Sequence, residues 1–215
     1  MQIANNLLKH YLRDVLFFCG TACGGKTTVS KAFARKHGLY WLDEDTLNAK
    51  MDGLAEPAHQ SAWCARPQDP QTYFNRPYLQ WHQWLADCGR EMLPMQLLEL
   101  IRLSADRPVA ADLYNMPPSL AMELTEPGRI VFLVTTPERV VRDYYDRPDH
   151  RAIRACIMGL ADPRAALDNC NKTLAHGTRA YLDELERTGL FTITRDDAST
   201  VADTLSRVEK HFGFA

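Results

Sequence analysis

The residues Gly20-Thr21-Ala22-Cys23-Gly24-Gly25-Lys26-Thr27 set glycines, a lysine and a threonine at the spacing G-x-x-x-x-G-K-[ST]. Small residues let successive backbone N–H groups turn inward around phosphate oxygens, and the helix expected to follow adds partial positive charge at its N-terminus. Lys26 then reaches the β- and γ-phosphates of a nucleotide as a point charge, and the Thr27 hydroxyl is placed to ligate the Mg²⁺ that bridges them. The whole stretch from Gly20 to Thr28 is the expected nucleotide cradle. A glycine-rich turn beside an ordinary surface lysine is the competing reading, and the flanking elements decide between them.

Those elements are the ones the motif requires. Val15 to Cys19 is a short apolar run bounded by Asp14 and Gly20, as expected of a buried strand, and Ile3, Leu7, Leu8, Tyr11 and Leu12 recur before it at helical spacing. Thr28 to His37 has helical composition and stops at Gly38, after which Leu39 to Leu42 offers a second strand. Pro108 to Ala111 and Ile130 to Val134 read as the third and fourth strands, with a helix near Pro118 to Leu124 between them. Asp162-Pro163 opens a long helix that stops near Gly189. Leu190 to Thr194 is the fifth strand, and Val201, Leu205, Val208 and Phe212 mark a closing amphipathic helix. Strands alternating with helices predict an α/β fold: the three-layer P-loop NTPase arrangement, a five-stranded parallel sheet with ligands at the carboxyl ends of its strands.

Between the second and third strands the pattern changes. Asn48 to Pro77 carries Pro57, Pro67, Pro70 and Pro77 with little periodicity and reads as an irregular insertion. Trp81, Trp84, Leu85, Cys88 and Met92 then follow helical spacing, and Pro94 is expected to break or restart that helix. The division expected is a single domain over 1–215, with a core at about 14–47 and 104–215 and an insertion at about 48–103.

Acidic and basic residues fall where such a sheet would present them. Asp112 follows the third strand, a position from which a carboxylate holds a Mg²⁺-bound water; a turn-forming aspartate is the alternative. Arg139, Arg142, Arg147, Arg151 and Arg154 crowd the segment after the fourth strand. A guanidinium suits the spread charge of a transferring phosphoryl group, and Arg142 and Arg147 are the expected contributors. The interleaved Asp143, Asp146 and Asp149 leave open a solvated face of internal ion pairs. Arg66 and Arg76 stand among Trp63, Tyr73 and Phe74 in the insertion, a mixture suited to an anionic small molecule.

From Leu16 through the glycine loop to Trp41-Leu42-Asp43-Glu44-Asp45 the chain resembles the small-molecule P-loop kinases of the shikimate kinase and nucleoside monophosphate kinase type. The resemblance implies that Asp43 and Asp45 are that family's acidic pair, beside Mg²⁺ and the acceptor hydroxyl, with Asp45 as the base. A helix cap with a solvated neighbour is the alternative for the pair. It also implies a lid at about 139–162, acceptor binding by the insertion, and contact of Thr194 to Ser199 with the nucleotide base; pairing with acids is the alternative for Arg66 and Arg76. The whole chain, including Arg76-Pro77 and Tyr114 to Pro118, looks most like bacterial proteins labelled 2-phosphoglycerate kinase-like. Asn171-Lys172-Thr173-Leu174 lacks the aspartate of the guanine-reading motif, so ATP is expected rather than GTP.

Composition narrows the partners. With 25 basic against 27 acidic residues the net charge is −2, which provides no general footprint for nucleic acid or an anionic membrane, so any anion site must be local. The scattered cysteines, without CxxC pairing, and the N-terminus, without a signal-peptide pattern, predict a cytoplasmic protein with reduced thiols. The expected activity is transfer of the γ-phosphate of ATP, with Mg²⁺, to a small anionic acceptor. The alternatives are a nucleotide-dependent ATPase or switch without an acceptor, and an enzyme acting on nucleic-acid ends or a sugar nucleotide.

Overall fold

The apolar runs become a parallel sheet because their backbones find partners only in one another. The computed structural model describes residues 4–114 and 116–214. Ile3 and Asn115, which entered the sequence reading, lie outside them. The strands are β1 (Val15–Cys19), β2 (Tyr40–Asp43), β3 (Val109–Asp112), β4 (Ile130–Val134) and β5 (Thr192–Thr194). They lie in the order β2-β3-β1-β4-β5, and every pairing is parallel. The three inner strands are buried at every position, as continuous apolar runs require of a sheet covered on both faces.

Eleven α-helices among the described residues surround it: α1 (Asn5–Tyr11), α2 (Lys26–His37), α3 (Glu44–Asp52), α4 (Ser61–Cys64), α5 (Pro70–Phe74), α6 (Tyr78–Ser104), α7 (Pro118–Leu124), α8 (Pro137–Asp143), α9 (Arg151–Met158), α10 (Pro163–Glu186) and α11 (Val201–Phe212). Strand alternation splits the core. Phe17 points into a cluster with Leu47, Leu97, Leu100 and Leu113, whereas Phe18 packs with Val29, Phe33, Leu133 and Val208 on the opposite face. A third cluster, Phe74, Trp81, Tyr145, Ile157, Ala166 and Cys170, contains no strand residue.

Two expectations need correction. Pro94 lies inside the single helix α6 and neither breaks nor restarts it. A proline deletes one helical hydrogen bond, but Met92, Leu93, Leu97 and Leu100 on the same helix are all buried, and tertiary packing outweighs the local loss. The region 48–77 is not irregular throughout: it holds the end of α3 and the short helices α4 and α5. Their start signals are of short range or lie far away. Asp69 accepts from Thr72 N at 2.8 Å, and the distant Glu91 carboxylate accepts from Ala62 N and Trp63 N at 3.0 and 2.9 Å.

Candidate nucleotide and acceptor site

Register brings the chemistry together. Phe18 in β1 and Asp43 in β2 both lie opposite Asp112 in β3, so the glycine loop, the acidic pair and Asp112 emerge at one edge of the sheet. Gly20 has φ +127°, and a side chain there would collide with the Leu133 backbone, so the loop lies directly on β4. Gly25 has φ +82°, and a Cβ would overlap the Arg195 guanidinium.

Lys26 is buried and donates from Nζ to the Thr21 carbonyl at 2.7 Å, inside the curve of its own loop. Thr21 has a second task, since its hydroxyl oxygen accepts from Thr135 N at 3.0 Å, while Thr135 Oγ1 donates to the Arg195 carbonyl at 2.8 Å. This chain of bonds fixes the loop to the ends of β4 and β5. Thr27 Oγ1 donates to Asp112 Oδ2 at 2.6 Å. Burial pushes the Asp112 carboxyl above its ordinary range, with Lys26 and Thr27 pulling it back and Asp43 and Asp45 pushing it up. Burial likewise lowers the Lys26 ammonium, against the attraction of Asp112, Cys19, Glu44 and Cys23.

The donor set fits a Mg²⁺-nucleotide. A hydroxyl and a carboxylate in contact provide hard oxygen ligands, and Mg²⁺ completes its shell with water and phosphate oxygens. Beside Gly25, Arg195 Nε is buried without a hydrogen-bond partner among the described residues, as is Nη1 of the neighbouring Arg139. Burial and the neighbouring Arg139 charge hold Arg195 below the usual arginine range. Buried guanidinium donors left unpaired are costly until an acceptor meets them.

Asp43 serves as the N-cap of α3, accepting from Thr46 N at 2.8 Å, and Asp45 stands exposed in the first turn of that helix. Arg142 is engaged by Asp143 and Asp197, from Nε to Asp143 at 2.6 Å and from Nη2 to Asp197 at 2.8 Å. Arg147 pairs with Asp149, and its charge lies near enough to the Cys23 thiol of the glycine loop to oppose the upward push that burial gives it. The segment after β4 therefore contains the internal ion pairs that its aspartates allow, with Arg147 also near the loop.

Arg66 and Arg76 converge on aromatic residues of the insertion. Arg66 lies over Tyr73, 5.4 Å from the ring centroid, and Arg76 over Trp84 at 4.5 Å. A cleft of about 600 Å³ opens beside Arg66, lined by Asp52, Trp63, Arg66, Tyr73 and Phe74 among others, and Arg76 is not part of its lining. Tyr144 connects this wall to the loop. Burial pushes its hydroxyl up to about 12, and Arg147, Tyr73, Cys23 and Asp45 all act on it electrostatically. No direct contact joins Arg66 or Arg76 to Asp45 among the described residues.

Sequence reasoning missed Glu44. Its carboxylate is buried and accepts from Tyr114 N at 2.6 Å and from Gln96 Nε2 at 3.3 Å, tying α3 to the end of β3 and to α6. The available signal was an acid enclosed between Asp43 and Asp45, where alternation along the backbone turns the middle residue inward. Thr135 was missed because nothing in its local pattern separates a bridging threonine from a strand end.

No family model and no curated protein sequence matches the chain. Its fold is that of the shikimate kinases. It is similar to the structure of the shikimate kinase from Acinetobacter baumannii in complex with shikimate, with TM-score 0.50 and 14% identity over 91% of this chain and 90% of that one. It is similar also to the shikimate kinase from Bacteroides thetaiotaomicron, with TM-score 0.50 and 14% identity, covering 91% of this chain and 96% of that chain.

Proposed function

We propose that this protein is a phosphotransferase that moves the γ-phosphate of Mg²⁺-ATP to a small anionic acceptor. The observation that carries the reading is the Lys26–Thr27–Asp112 constellation at the carboxyl ends of the inner strands, with Asp43 level with Asp112 in the register. Residues Gly20 to Thr28 bind the phosphates, with Lys26 leaving the Thr21 carbonyl to neutralise the β- and γ-oxygens. Thr27 and Asp112 hold the cation. Asp45 accepts the proton of the attacking group, and Asp43 keeps the first turn of α3 in place through its cap.

Arg147, beside Cys23, is close enough to the loop to take up charge on the transferring group, and Arg142 does so on exchanging its aspartate partners for phosphate. Residues 139–162 act as the lid and 48–103 as the acceptor insertion. Arg66 and Arg76 bind the acceptor's anionic group. Support comes from the fold neighbour solved with shikimate and from the absence of a carboxylate partner on either guanidinium among the described residues. Among those residues no helix is long and apolar enough to cross a membrane. The test is Mg²⁺-dependent ADP release with sugar acids, phosphoglycerates, nucleosides and nucleoside monophosphates as acceptors. Stimulation by one of them, absent in Lys26→Ala, is expected. A slow rate indifferent to every acceptor would instead assign an ATPase or switch.

A further inference from the structure

The segment bearing Arg76 is held by a helix from the far side of the candidate lid. α5 ends at Phe74, and Arg76 precedes Pro77, so the carbonyls here have lost their regular helical partners. Asn169 of α10 satisfies two of them. Its Nδ2 donates to the Phe74 carbonyl at 3.0 Å and to the Arg76 carbonyl at 2.6 Å, using both of its hydrogens across more than ninety residues of sequence. Nearby, Ala161 N donates to Gln71 Oε1 at 3.2 Å. Phe74 and Trp81 from the insertion, Tyr145 and Ile157 from the segment after β4, and Ala166 and Cys170 from α10 close an apolar cluster around these bonds.

The insertion, the segment after β4 and α10 thus share a core to which no strand residue contributes. We infer that Asn169 is a positioning residue: it locks the Arg76 turn to α10, so that nucleotide-driven ordering of residues 139–162 is transmitted to the acceptor arginine. This rests on the reading that Arg76 faces the acceptor. The isosteric Asn169→Asp replaces two donors with an oxygen facing two carbonyl oxygens, so it breaks the lock with little change of shape. Asn169→Ala merely removes the bonds and serves as the milder variant.

Amide hydrogen exchange on the full-length protein, with and without Mg²⁺ and a non-hydrolysable ATP analogue, tests the inference. Without ligand, both variants are expected to exchange faster than wild type at residues 70–77, by roughly tenfold for the loss of a net hydrogen bond, with the glycine loop unchanged. With the analogue, wild type is expected to gain protection at 70–77 as well as at 139–162, and Asn169→Asp to gain it only at 139–162. Wild-type protection confined to the loop and 139–162 overturns the inference and leaves the kinase reading standing. So does an Asn169→Asp profile identical to wild type. Protection nowhere overturns the nucleotide reading and this inference with it.

Discussion

The glycine loop and the proposed acceptor wall are built in different ways. At the loop, backbone geometry is over-determined: Gly20 rests on Leu133, Thr21 is bonded to Thr135, and Arg195 packs against Gly25. Three buried strands carry it. Among the described residues, no strand contributes to the core under the proposed acceptor wall. Arg66 and Arg76 stand on aromatic rings, the Arg76 carbonyl accepts from Asn169, and the core nearby is the separate cluster around Phe74 and Trp81. The proposed nucleotide cradle is therefore fixed by the sheet, whereas the geometry of the proposed acceptor wall depends on packing between the insertion, the segment after β4 and α10. That division suits a reaction in which one substrate is common and the other is specific.

Substitutions on the two sides should fail differently. Lys26→Ala is expected to abolish Mg²⁺-dependent turnover by about 10³-fold or more, the scale of removing a charge-stabilising donor, without changing the melting temperature markedly. Equal turnover in the variant would detach the loop from the chemistry. On the other side, Trp81→Ala should cost about 3 to 5 kcal/mol of stability, the usual range for a large aromatic removed from a core. Chemical denaturation reads that loss, and hydrogen exchange should place it in α5, α6 and α9 before the sheet.

Arg76→Ala is expected to raise the acceptor KM by roughly 10- to 100-fold while the KM for ATP stays within about twofold, as for a lost charge-assisted contact. Equal effects on both KM values would show that the two sides are not separable. Asp112 gives a smaller effect of opposite sign. Its raised carboxyl binds a proton more tightly folded than unfolded, so the group's ionisation costs stability as pH rises through the window above its ordinary value of 3.8. Asp112→Asn should therefore melt at a slightly higher temperature than wild type near neutral pH in the absence of nucleotide, while losing Mg²⁺-dependent nucleotide binding.

The smallest effect concerns His82, whose ring meets His176 at the contact of α6 with α10. Burial, and secondarily His176, lower its affinity for a proton. Folded protein thus binds fewer protons than unfolded protein as pH drops below about 6.5, and stability falls on acidification through that range. His82→Gln should flatten the acid side of a melting-temperature profile, and an unchanged slope would remove His82 from the account.

The loop and its sheet were legible in the sequence because their constraints are local. A glycine with positive φ, a lysine one residue on and an apolar run before them are all read within thirteen residues, from Val15 to Thr27. Asp112 was legible for the same reason, as the last residue of a buried run. The acceptor wall was only partly legible. Arg66 and Arg76 stood out by type, but Glu91, which caps α4, and Asn169, which secures Arg76, act across about 30 and 90 residues of chain. Glu44 is a buried acid whose partners, Tyr114 and Gln96, belong to two other elements. Pro94 misled for the same reason, since what keeps α6 continuous is the packing of its neighbours against the sheet and not its own sequence.

The central claim is that phosphate leaves ATP for a small molecule and not for water. Following a label on the γ-phosphate tests it most directly, in the acceptor panel with Mg²⁺ present. The account predicts that the label appears on one anionic, hydroxyl-bearing compound, at a rate lost in Lys26→Ala and weakened at low acceptor concentration in Arg76→Ala. Label found only in inorganic phosphate, at one rate whatever compound is added, would contradict it.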